Sequence, residues 1–315
     1  MNMKIQLLVR QYPHMIGLAR YVSALQASLS SIGVEYSSVE PDYPFPVRLG
    51  DRMLRRRGYD IKTFFTNYPV AARLDKDAVK HLTTQLMGSL LSFKPGMRRV
   101  VITVHDIVPY LMRDDPEQCE YHHFYDRWMD QLAMNSLRRA DCLISISEFT
   151  KQMLVERLGC APDRIQVILY GLDHEIFRPL PADEAFRTRY QIEPGTRYLL
   201  YVGSENPRKN LPRLVEAFAH VRQTLPDVQL LKVGTPENVE QFQKLKSQIH
   251  ALGLDEAIRF VDHGAKRSMR FVFMRMSVAT GASTFRLTAS LRLRIESIRF
   301  SLIRKGSHCD WIPRE

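Results

Sequence analysis

No stretch of the sequence approaches the roughly 18 consecutive apolar residues that a membrane-spanning helix needs, and residues 1–10 lack a signal-peptide hydrophobic region and cleavage site. A cytoplasmic protein is expected. Cysteine is scarce: Cys119, Cys142, Cys160 and Cys309 are scattered through 315 residues, with no CxxC pair and no Cys/His cluster. That spacing argues against a disulfide framework and against a structural zinc site. The body of the chain also lacks a charge excess. The formal net charge is +11, but residues 265–315 hold 11 Lys/Arg against 3 Asp/Glu, so +8 sits there and the first 264 residues carry only +3. The basicity belongs to the tail, and no nucleic-acid partner is expected of the body.

What is present is an alternation of short apolar runs with segments of helical period, the signature of parallel sheets with crossover helices. Strands are predicted at 4–9, 34–39, 99–104 and 142–146, and helices at 18–32, 76–93, 117–139 and 148–158. Gly33 and Gly159 are placed to end the first and last of these helices, and Ser147 to open the last. The Pro-, Arg- and aromatic-rich stretch 41–59 reads as a long loop. A linker around a short helix is expected over 177–196, followed by strands at 197–202, 228–233 and 258–261 with helices at 211–224 and 236–251. At about 150 residues per domain the length fits two α/β domains. The boundaries are drawn at 1–175 and 176–264, with 265–315 as a separate basic tail.

Three segments carry chemistry. In VRQYPHMIGLARY, Gly17 lies between a first strand and its helix, where a ligand phosphate could approach the backbone at a helix N-terminus. An ordinary loop glycine fits equally well. In VITVHDIVP, His105 and Asp106 end a buried strand, beyond whose carboxyl end ligands bind in open parallel sheets. A histidine there can hydrogen-bond a sugar hydroxyl, or can simply be satisfied by nearby backbone. In YVGSENPRKNLPRLVEAF, a strand ends at Gly203 and Ser204, and Arg208 and Lys209 precede a helix. Two cations beside free helix N–H groups suit a diphosphate that gains charge as a bond to it breaks. His122, His123 and Asp126 form a further cluster, read as solvated surface because no third ligand accompanies it.

These segments, with DCLISISEFTKQMLVERLG, RIQVILYGLDHEIFRP and LGLDEAIRFVDH, resemble in order and spacing the GT-B glycosyltransferases of family 4 (glycosyltransferase group 1). The resemblance covers roughly residues 3–263. It implies two Rossmann-like domains facing a cleft, the acceptor mainly on the first and the nucleotide-sugar on the second. It also implies transfer of a hexose with retention and without a required metal, a GDP-mannose donor being a guess on family frequency. The implied setting is assembly of a bacterial surface polysaccharide by a cytoplasmic enzyme, with a saccharide or lipid-linked acceptor and peripheral membrane contact. By resemblance Gly17 lies near the donor phosphates, His105 beside the transferred sugar, and Lys209 on the diphosphate. The family often has Arg where this chain has Ser204, which leaves Arg208 as the second cation.

Beyond residue 264 the resemblance stops. The family continues with a Glu-x-Phe-Gly segment that contacts donor sugar and ribose, whereas here the composition turns to Arg and Ser. A frameshift or similar lesion near codon 264 is the expected cause, leaving the second domain incomplete and the activity impaired. The alternative is a non-catalytic protein built on the first domain, whose basic tail binds anionic lipid or nucleic acid.

Overall fold

The computed structural model describes residues 4–10, 17–42, 61–121, 123–171, 184–234, 236 and 239–261. The loop expected over 41–59 falls almost wholly outside them, as do His122, Cys309, residues 172–183 and the tail 265–315.

The first unit is built on a six-stranded sheet in the order β2-β1-β3-β4-β5-β6. Its strands are β1 (Ile5–Leu8), β2 (Tyr36–Val39), β3 (Val79–Leu82), β4 (Val100–Val104), β5 (Cys142–Ser145) and β6 (Ile165–Val167), all parallel. The chain leaves β1 for β2 on one side and returns to β3 on the other, so the order reverses beside β1. In such sheets ligands bind outside the carboxyl ends of the strands near that reversal. Parallel strands covered on both faces must be apolar. Leu7, Leu8, Leu82, Ile102, Val104 and Leu143 are accordingly buried.

Helix α1 (Gly17–Ser31) follows β1 and ends at Gly33, whose φ of 69° takes the left-handed turn. There Gly33 N–H donates to Ser30 O (3.1 Å) and Val34 N–H to Leu29 O (3.0 Å), satisfying the last carbonyls. The remaining helices of this unit are α2 (Ile61–Asn67), α3 (Ser89–Phe93), α4 (Val108–Leu111), α5 (Phe124–Ser136) and α6 (Glu148–Leu158). Helix α6 has the boundaries its sequence dictates: Ser147 Oγ accepts from Thr150 N–H (3.1 Å), and Gly159 turns left-handed at φ 63°. Gly88 lets α5 approach closely, because a Cβ there would stand 2.9 Å from Ala133 O.

Two expectations are corrected. The helix over 76–93 is instead β3, a 3-10 turn (Gln85–Gly88) and the short α3. Residues 79–82 have helix-like apolar spacing locally, but pairing on both sides, with β1 and β4, draws them into the sheet. The helix over 117–139 begins only at Phe124, and residues 137–139 form a 3-10 turn. His123 is therefore a cap residue rather than part of a helical face. Strand β6 and helix α2 have no counterpart in the sequence reading.

The second unit carries a three-stranded parallel sheet, β7 (Tyr198–Val202), β8 (Gln229–Val233) and β9 (Ile258–Val261), in sequence order. Helix α7 (Glu184–Tyr190) precedes it, and α8 (Leu211–Thr224) and α9 (Val239–Ala251) connect its strands. Alternate residues of β8 face opposite cores. Leu230 packs with Leu211, Val215, Phe218, Leu245 and Ile249, while Leu231 and Val233 pack with Ile192.

Candidate functional site

His105 lies just past the carboxyl end of β4 and is buried. Its Nε2 is 2.8 Å from Thr83 O, and a carbonyl can only accept, so Nε2 carries the proton. That leaves the Nδ1 lone pair, which the Tyr170 hydroxyl reaches from beyond β6. Burial lowers the His105 pKa and raises that of Tyr170, so a neutral imidazole accepts from a protonated phenol. Both ring nitrogens of His105 are thus engaged within the protein, Nε2 by backbone and Nδ1 by Tyr170.

Helix α1 supplies the neighbouring wall. Tyr21, one turn after Gly17, packs edge-on against His105 with ring centroids 4.9 Å apart. Its hydroxyl is 2.7 Å from Thr103 Oγ1, which in turn is 2.8 Å from His81 Nε2. This contact brings the opening turn of α1, and Gly17 with it, beside His105. A Cβ built on Gly17 would meet nothing within 4 Å, so the space above that turn is open. Asp106 Oδ1 accepts from Val108 N–H (3.1 Å) at the start of α4, and the Asp106 charge acts on both His105 and Tyr170, raising their pKa values.

In the second unit, the loop from Gly203 to Lys209 leaves the carboxyl end of β7. Gly203 N–H donates to Val233 O (3.0 Å), and Tyr201 Oη donates to Ser204 O (3.2 Å). Asn206 Oδ1 accepts from Arg208 N–H (3.2 Å), forming a tight turn over Pro207–Lys209. Asn210, left-handed at φ 51°, then opens α8 without any side-chain cap. The start of α8 thus lacks a side-chain cap, and Lys209, two residues before it, is exposed with no side-chain partner among the described residues.

Arg208 is not free in the same way. Its Nε is 2.7 Å from Glu120 Oε1 in the first unit. That oxygen is buried and makes no well-aligned hydrogen bond, so the contact is chiefly one of charge. The residue after Glu120, Tyr121, donates its hydroxyl to Asp130 Oδ2 (2.5 Å), with Tyr68 donating to the other oxygen (3.4 Å). Burial pushes Asp130 up to about 6.

The sequence reading thus finds His105, Gly17, Gly203, Ser204, Arg208 and Lys209 at strand ends and helix starts. Tyr21, Tyr170, Thr83 and Glu120, which contact His105 or Arg208, are not singled out there. Tyr21 carried a signal, lying four residues after Gly17 on one helix face. Glu120 and Thr83 carried none, since their roles depend on elements remote in sequence. Among the described residues no group of three or more His, Cys, Asp or Glu is placed to hold a metal ion, and no helix is long and apolar enough to cross a membrane.

The family model described as Glycosyltransferase Family 4 matches residues 15–176, and that described as Glycosyl transferases group 1 matches residues 182–279. The second match runs past residue 264, where the sequence reading ends the resemblance. A D-inositol 3-phosphate glycosyltransferase from Gordonia bronchialis is 28% identical over 159 residues, 48% of this chain and 34% of its own length. The O-antigen chain mannosyltransferase B of Escherichia coli is 26% identical over 125 residues, 39% of this chain and 31% of its own length. The matches thus span about a third of these curated relatives. Among solved structures, Anabaena HepE in complex with UDP and glucose has a TM-score of 0.54 at 17% identity, covering 87% of this chain and 72% of that one. Sucrose-phosphate synthase from Thermosynechococcus elongatus has a TM-score of 0.57 at 17% identity, covering 86% of this chain and 73% of that one. At such identities the likeness is one of fold.

Proposed function

The chain belongs to glycosyltransferase family 4 and has the GT-B fold, and from that premise we propose that it moves a hexose from a nucleotide-sugar to a saccharide or lipid-linked acceptor with retention. The observation that supports this reading is the packing of Tyr21 on His105, which sets helix α1 against the end of β4.

In this reading a hydroxyl of the sugar being transferred replaces the Tyr170 hydroxyl as the donor to His105 Nδ1. The Thr83 carbonyl fixes the ring and its tautomer, so His105 acts as an acceptor and orienting group rather than as an acid. Lys209 and the N-terminus of α8 stabilise the nucleoside diphosphate as the glycosidic bond breaks and negative charge grows on the departing phosphate. Gly17 leaves room for those phosphates at α1. Side-chain cations and helix dipoles supply this stabilisation in the proposed mechanism, so no metal is required of it. Asp106 contributes by shaping the turn after His105, as its hydrogen bond to Val108 indicates.

GDP-mannose remains the donor proposed on family frequency, and the relative from Escherichia coli is named a mannosyltransferase. Residues 265–315 contain no Glu-x-Phe-Gly segment, so transfer by this chain is proposed to be impaired, and contact with the inner face of a membrane to be peripheral. The test is a panel of UDP- and GDP-sugars incubated with the full chain, with its His105→Ala variant, and with a gene whose frame is shifted after codon 264. Donor consumption that rises in the shifted form and falls with His105→Ala supports the reading. Consumption unaffected by His105→Ala overturns the role of that residue.

A further inference from the structure

We propose that Glu205 and Lys232 form a positioning pair that fixes the donor-diphosphate loop, Gly203 to Lys209, onto β8. This deepens the donor reading of that loop and rests on it.

Lys232 stands where an apolar residue would be expected, in the central strand of a parallel sheet between Leu231 and Val233. Its side chain is 3% exposed and that of Glu205 is 2% exposed. The ammonium of Lys232 donates to Glu205 Oε1 and also to Gly234 O at 2.9 Å. Lys232 shares a face of β8 with Leu230, on the side packed by α8 and α9, and lies at its carboxyl end, under the loop that opens α8.

A buried ion pair is weak evidence for stability, because desolvating both charges offsets most of their attraction and apolar residues of the same volume often do as well. What the pair adds is direction. Glu205 is the buried side chain of a loop whose Arg208 reaches Glu120 and whose Lys209 is exposed. Pinning it to β8 sets the height and rotation of that loop relative to α8. The surroundings allow little alternative: a Cβ on Gly234 would stand 2.6 Å from Gly203 O, and one on Gly203 2.8 Å from Tyr201 Oη. The pair is neutral as a whole, so it orients the loop without cancelling the positive charge of Lys209.

A single lesion strands a buried charge, so the informative variant is the charge-free double Glu205→Gln with Lys232→Met in the full chain. Three quantities are read: the urea midpoint, amide hydrogen exchange across residues 203–210, and the dissociation constants of UDP and GDP. The expected result is an urea midpoint close to that of the parent, with loop amides exchanging about 10-fold faster and nucleotide binding weakened about 10-fold, the scale of one charge-assisted hydrogen bond. Glu205→Asp with Lys232 intact, which keeps the charge but shortens its reach, should fall between the two. Unchanged loop exchange in the double variant overturns the proposal. So does a double variant whose loop protection falls only in proportion to global stability, which would be a structural role alone. If the parent binds neither nucleotide, the donor reading of the loop fails, and the exchange measurement still decides the pair.

Discussion

Acidification pits two buried groups of the first unit against each other, and their contributions can be separated by substitution. His81, in the middle of β3, is held neutral chiefly by burial and secondarily by the nearby His105, which bring its pKa from 6.5 down to about 4. Below pH 6.5 the unfolded chain takes a proton that the folded chain refuses, so stability falls until about pH 4. A gap of about 2.5 pH units, at roughly 1.4 kcal/mol each, makes this loss on the order of 3 kcal/mol. Asp130 works in the other sense. Its carboxyl, raised by burial from 3.8 to about 6, keeps its proton in the folded state where the unfolded chain has lost it. Folding is therefore disfavoured as pH rises from about 4 to about 6 and relieved as pH falls, again by on the order of 3 kcal/mol. In the parent the two nearly cancel between about pH 6.5 and pH 4. His81→Leu, which leaves Thr103 its hydrogen bond with Tyr21, removes the loss and should gain on the order of 3 kcal/mol relative to the parent over that interval. Asp130→Asn removes the relief and should lose a similar amount. Urea unfolding followed by Trp128 fluorescence, in a Trp311→Phe background that leaves one indole, reads the first unit at each pH. Comparing slopes with pH, rather than stabilities at one pH, cancels each substitution's direct effect on packing. Parallel pH profiles for His81→Leu and the parent would refute the neutral burial of His81.

Other outcomes follow from single contacts. Gly234→Ala puts a Cβ 2.6 Å from Gly203 O at a φ of 139°, and should destabilise the second unit by about 2–4 kcal/mol in urea, with loss of nucleotide binding. Ser147→Ala removes the acceptor for Thr150 N–H and should lower the stability of the first unit by about 1 kcal/mol, read as a fall of a few degrees in its melting temperature. Lys209→Met, at an exposed position, should leave far-UV circular dichroism unchanged and raise the UDP and GDP dissociation constants about 10-fold; equal affinities would remove Lys209 from the site. Glu120→Gln frees Arg208 from its charge partner and should tighten nucleotide binding by a few-fold, measured by titration calorimetry.

Local signals were legible wherever they were self-contained. The ends of α6 follow from Ser147 and Gly159, because caps need only neighbours in sequence, and α8 starts at Leu211, just before Pro212, whose ring suits the first turn. The strand ends bearing His105 and Gly203 follow from apolar runs meeting turn residues. Illegible were the places where burial of a polar group depends on a distant partner. Lys80 in β3 is buried because its ammonium donates to Lys76 O, Ala78 O and Arg98 O at 2.8, 3.0 and 3.2 Å, and His81 because Thr103 meets it from β4. Two polar residues in a four-residue strand look like the exposed side of a helix until those partners are known, which is how 76–93 reads as helical. The 3-10 turn that follows and the late start of α5 have the same origin, in packing between elements rather than in period.

Charge at the candidate donor site shows where counting residues and reading contacts part. In sequence the loop after β7 offers Arg208 and Lys209 as an undivided pair of cations, with Glu205 an apparent acidic interruption. In three dimensions each charge has a direction. Glu205 turns inward to Lys232, and that pair is neutral and sealed from water. Arg208 turns across to Glu120, and its charge is largely offset there. Only Lys209 stays outward without a side-chain partner among the described residues, beside the uncapped start of α8, whose N-terminus adds about half a positive charge. A diphosphate arriving at this loop therefore meets one full cation and a helix end. Arg208 can add to this by exchanging a carboxylate for a phosphate, a like-for-like swap of anions. Arg208 would then link donor occupancy to the contact between the two units, since the group it leaves behind belongs to the first.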